Sequence, residues 1–95
     1  MKKMFENSKF NGDISRWDVS KVKDMSSMFF NSKFNNNISK WNVSGVRDMI
    51  SMFTHSIFNK DISNWDVSKV IYYNGIFIDS KIESKYVPVR FRQKE

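Results

Sequence analysis

The chain has no cysteine, so disulfides and thiolate metal sites are excluded, and cysteine usage leaves the redox compartment open. It has one proline, three isolated glycines and one histidine. Without a glycine-rich segment there is no phosphate-cradling loop. With His55 as the sole imidazole, a zinc centre or a nucleophile–base pair lacks its second partner. His55 therefore reads as a solvated loop residue. No apolar run approaches the roughly 18 residues of a membrane-spanning helix. Met1-Lys2-Lys3 is not followed by an apolar stretch, so no secretory signal is read in this chain, and a secreted product would need a signal outside it.

What is present is a repeat. Residues 28–51 match residues 4–27 at 16 of 24 positions, and residues 52–75 keep the same skeleton before it decays. A period of about 20–50 residues implies stacked units that bury their apolar faces only against one another. Three features recur at this spacing. They are Met4-Phe5, Met28-Phe29 and Met52-Phe53; Phe10-Asn11, Phe34-Asn35 and Phe58-Asn59; and the Ile-Ser-x-Trp-x-Val-Ser motif around Trp17, Trp41 and Trp65. Stacking places Ile14, Ile38 and Ile62 in one column and the three tryptophans in another. Asn11, Asn35 and Asn59 form a third, in which each side chain can hydrogen-bond the next unit's backbone.

Within a unit, the spacing of Val22, Met25, Met28 and Phe29 predicts one face of a short helix, with Asp24 and Asp48 as N-caps. Trp17-x-Val19 alternates and predicts a short strand. Asn11-Gly12-Asp13 and Asn35-Asn36-Asn37 carry turn chemistry. The expected architecture is an α/β repeat, a solenoid of about three strand–turn–short-helix units (4–27, 28–51, 52–75) within residues 1–75. Residues 76–95 form a degenerate last repeat and C-terminal cap. In that cap, residues 85–92 read as an edge strand that tolerates Pro88, and the last few residues are expected to fray.

The pattern FNxxISxWxVSxVxDMSxMF, carried by residues 4 to about 77, resembles the BspA-like leucine-rich-repeat surface proteins of the short-repeat, lipoprotein-associated branch. The resemblance implies a right-handed, leucine-rich-repeat-like solenoid, a cell-surface or secreted setting, and a role in adhesion or protein–protein interaction. It carries no catalytic motif, so no catalytic, cofactor-binding or metal residue is assigned.

Partner candidates come from positions that vary between units. Arg16 and Lys40 share one position, Lys9 and Lys33 another, and Lys23 and Arg47 a third, giving basic columns. In the third unit Ile57 and Ile71 replace lysine or arginine, and Ile50 replaces a serine in the second. Apolar side chains at otherwise polar positions mark a contact. Ile50, Ile57 and Ile71 are expected to be covered by the C-terminal segment or by another chain. Asp13, Asp18, Asp61 and Asp66 alternate with Asn37 and Asn42, and read as turn residues more readily than as a calcium row.

The functional expectation is a noncatalytic interaction or adhesion module for a protein or glycan. The alternative is a basic scaffold binding nucleic acid or other polyanions non-specifically, which the net charge of +6 permits. Nucleic acid is the weaker candidate, because the aromatics stand in core register and are not free to stack on bases. Self-association through the ends of the stack, where Met1, Met4 and Phe5 would be exposed, is a further expectation.

Overall fold

One backbone preference, repeated every 24 residues, decides the path of the chain. In the computed structural model, which describes residues 1–92, Lys3, Ser27, Ser51 and Gly75 have positive φ, and so do Asn7, Asn31, His55 and Asp79. Glycine, asparagine, aspartate and histidine are the residues most tolerant of that left-handed conformation. Each left-handed residue is the third of a β-turn. Met28 N–H donates to the Met25 carbonyl, Phe30 to Ser27, and Ser32 to Phe29. The same three overlapping turns recur at residues 1–8, 49–56 and 73–80, and we call each set a ribbon.

The remaining N–H groups of a ribbon point sideways. Those of Met25, Ser27, Phe29 and Asn31 donate to the carbonyls of Asp48, Ile50, Met52 and Thr54 at 2.8–2.9 Å. Ser26 N–H is taken by Asp24 Oδ1 at 2.8 Å. Every N–H between 25 and 32 is thereby paired, three within the ribbon, one to the Asp24 carboxylate and four to the next copy, as buried backbone requires. Successive copies lie over one another in parallel register, and Asp24–Asp48 and Asp48–Tyr72 form isolated parallel bridges.

The core runs through the centre of the stack. Phe5, Phe29, Phe53 and Phe77 are stacked with ring centroids 5.6, 5.5 and 5.8 Å apart. Phe10, Phe34 and Phe58 form a parallel stack, and the Trp41 and Trp65 rings are stacked 6.5 Å apart and nearly parallel. Trp41 Nε1 donates to the Ile14 carbonyl and Trp65 Nε1 to that of Ile38, each at 3.0 Å. Asn11 Oδ1 accepts from Asn35 N–H, Asn35 Oδ1 from Asn59 N–H, and Asn59 Oδ1 from Glu83 N–H. The whole measures 33 × 28 × 19 Å.

This overturns the expected α/β solenoid of strand–turn–short-helix, leucine-rich-repeat-like units. Among the described residues there is no strand and no α-helix, only two three-residue 3-10 turns, Ser84–Tyr86 and Val89–Phe91. The apolar spacing of Val22, Met25, Met28 and Phe29 does not mark a helix, because left-handed Ser27 and Asn31 break any run of helical dihedrals. Asp24 and Asp48 therefore cap no helix; each closes a local turn onto residue i+2. Around Trp17-x-Val19 and its copies the ties between layers are largely made by side chains, the tryptophan N–H and asparagine Oδ1 among them, so no backbone ladder defines a strand.

The C-terminal edge strand is likewise absent. Pro88 stands at the head of the second 3-10 turn. Phe91 is buried, its ring 4.5 Å from that of Tyr73 and 6.4 Å from that of Phe77. Arg90 Nη1 donates to the Val67 carbonyl at 2.6 Å, and Tyr86 O accepts from Ile62 N–H at 2.9 Å. The expected fraying of the last few residues lies outside the described residues.

Candidate interaction surface

The Asp/Asn-x-Ser triplets, weighed above as a calcium row, are occupied by local structure. Oδ1 of Asp13, Asp18, Asn37, Asn42, Asp61 and Asp66 accepts the N–H of the serine two residues on. Aspartate and asparagine interchange between copies because both offer that oxygen. The serine hydroxyl and then the serine N–H hold the carboxyls of Asp13, Asp18, Asp61 and Asp66 below their ordinary value. At Asp24, burial pushes the carboxyl up, but the two bonds from Ser26 outweigh it and the net shift is downward. Among the described residues no cluster of three or more His, Asp or Glu side chains is placed to hold a metal ion. His55 is exposed, with Nδ1 2.8 Å from Asp79 Oδ2.

The sequence-predicted partner residues fall in different places. Arg16 and Lys40 are exposed at equivalent positions of the first two layers. Ile50 is half-buried on the second layer, and Ile57 is exposed beside Ser32. Ile71 is 57% exposed. The described part of the C-terminal segment covers neither Ile57 nor Ile71. Instead its Val87 and Phe91 line, together with Ile71, Phe77, Ile78 and Ile82, an open cleft of about 1070 Å³. Ile78, at 61% exposure, was missed in the sequence, although it too stands where the first copy has a charged residue, Glu6. A second, polar recess of about 410 Å³ lies between layers two and three, lined by Asn36, Asn37, Ser39, Lys60, Asp61 and Asn64.

Among the described residues, nothing covers either edge of the stack. Met4 is 53% exposed, whereas its equivalents Met28 and Met52 are fully buried; Trp17 is 41% exposed against 4% and 5% for Trp41 and Trp65. The first ribbon's carbonyls at Lys2, Met4 and Glu6 accept nothing among the described residues, and on the fourth ribbon the N–H groups of Gly75, Phe77 and Asp79 meet no carbonyl among them.

These features define a repeat protein of stacked 24-residue layers with apolar ends. The chain belongs to the family described as "Mycoplasma protein of unknown function, DUF285", whose model matches residues 1–86. No curated protein and no solved structure matches the chain. No helix among the described residues is long and apolar enough to cross a membrane.

Proposed function

We propose that the chain is a noncatalytic interaction or adhesion module of the surface-protein type, taking a protein or glycan ligand at the cell surface or in a secreted setting. The observation that carries this reading is the apolar surface at and just before the fourth ribbon. Ile71 and Tyr72 are exposed at positions where both earlier copies carry lysine, arginine or aspartate, and Ile78 is exposed beside the open cleft that Ile71 also lines. Exposed apolar side chains gathered on an otherwise polar body favour a macromolecular contact. The motif likeness to BspA-like surface proteins supports the same direction, and the amide-lined recess offers hydrogen bonds suited to a glycan.

The exposed basic columns, Arg16 and Lys40 among them, favour a second reading in which polyanions bind non-specifically. Binding of the chain and an Ile71→Asp variant to immobilised extracellular proteins and glycans, with heparin and single-stranded nucleic acid in parallel, separates the two. The first reading expects a complex that survives moderate salt and is lost in the variant without a change in melting. Capture by polyanions alone, with affinity falling steeply as salt rises, would overturn it.

A further inference from the structure

We propose that the two open edges pair with each other, so that a second copy of this chain docks head-to-tail on the fourth ribbon. This rests on the interaction-module reading and names a partner for the same edge.

The argument is one of register. Inside the chain, the N–H groups of residues 3, 5 and 7 meet the carbonyls of 26, 28 and 30. Residues 27, 29 and 31 meet 50, 52 and 54, and residues 51, 53 and 55 meet 74, 76 and 78. The next step in the series needs acceptors for Gly75, Phe77 and Asp79. The carbonyls that stand at the equivalent place, 24 residues before 26, 28 and 30, are those of Lys2, Met4 and Glu6, the row left without donors at the other end. Donor row and acceptor row have the same length and spacing, because both are outer sides of the same repeated ribbon.

The side chains continue in the same register. Phe5 of the second copy falls over Phe77, extending a column already stacked at 5.5–5.8 Å. Its Met4 falls over Ile76, as Met4 itself falls over Met28. The asparagine ladder ends at Glu83, whose carboxylate is an acceptor at the place where each earlier step offers an asparagine Oδ1 to the next backbone N–H. In the proposed contact Asn11 N–H of the incoming copy donates to it. Such a contact is heterologous: each copy uses one edge and leaves the other open, so growth continues past the dimer.

The test uses two exposed substitutions, Met4→Glu on the first ribbon and Ile78→Glu on the fourth, with light scattering after gel filtration. The unsubstituted chain is expected to rise in mass with concentration beyond a dimer, independently of salt. Each variant alone is expected to stay monomeric with unchanged melting. An equimolar mixture is expected to double in mass and stop there, since one intact edge comes from each. A monomeric unsubstituted chain at every concentration overturns the proposal, as does a dimer formed by either variant alone, which would signal pairing of like edges. Neither result touches binding to foreign ligands, which the immobilised panel measures separately.

Discussion

Replacing serine by glycine inside a helix destabilises it; in the ribbons the same change is expected to stabilise. Ser27 and Ser51 have φ of 54° and 56°. For an L-residue the left-handed region costs about 1–2 kcal/mol, which glycine does not incur. Glycine's larger unfolded-state freedom returns about 0.5–1 kcal/mol of that gain. Neither hydroxyl makes a hydrogen bond among the described residues, so nothing else is removed. Each of Ser27→Gly and Ser51→Gly should therefore gain about 0.5–1 kcal/mol, a rise in Tm of about 4–8 °C per kcal/mol for a domain of this size. Gly75→Ala is the converse. Its φ is +64°, and an added Cβ would lie 3.0 Å from Ile78 Cδ1. With the same offset for glycine's unfolded-state freedom, a loss of about 0.5–1 kcal/mol is expected from the backbone, and the crowding of Ile78 Cδ1 adds to it. In a helix all three signs invert, with serine to glycine losing roughly 0.5 kcal/mol and glycine to alanine gaining about 1 kcal/mol. Thermal and urea melts of the three variants decide the matter; destabilised serine variants with a stabilised Gly75→Ala would refute the ribbon geometry.

Asn35→Ala leaves Asn59 N–H without its acceptor and should cost about 1 kcal/mol in urea melts. Trp41→Phe removes the buried indole N–H bond to Ile14 and should cost about 1 kcal/mol or more, whereas Trp17→Phe, at the exposed end, should stay within about 0.5 kcal/mol. Stability should also fall in acid. Asp13, Asp18, Asp24, Asp61 and Asp66 have folded-state carboxyls below their ordinary value. Their contribution is present above the ordinary aspartate range and is lost as pH falls through the lowered values. Melts across that window should show the loss, and Asp24→Asn, which keeps the turn acceptor, should flatten part of it.

The columns were legible because stacking writes its period directly into the sequence: Phe10, Phe34 and Phe58, the tryptophans, and Asn11, Asn35 and Asn59 recur every 24 residues. Local conformation was not, because apolar spacing reports which residues face inward and not how the backbone carries them there. Met25, Met28 and Phe29 are all buried, as a helix face would be, yet overlapping turns around a closed layer bury them equally well. The signal that distinguishes the two was present in the column Asn7, Asn31, His55, Asp79 and in Gly75, residues that accept positive φ. Gly75 is the least strained member of its column, which it shares with Lys3, Ser27 and Ser51. The alternation of residues 85–92 pointed to a strand, but Phe91 turns inward against Tyr73 and the chain folds into two 3-10 turns instead. At the candidate surface, Ile71 was visible as an exception to a basic column. Ile78 was hidden because its column, Glu6, Phe30 and Thr54, has no common character to break.

Amide hydrogen exchange followed residue by residue in dilute solution tests most directly whether one ribbon edge is closed inside the stack and open at its end. Slow exchange is expected at Ser27, Phe29, Asn31, Ser51 and Phe53, whose N–H groups cross to the next layer. Fast exchange is expected at Gly75, Phe77 and Asp79, turning slow as concentration rises. Fast exchange at Phe29 and Phe53, or concentration-independent protection at Gly75, Phe77 and Asp79, would contradict the account.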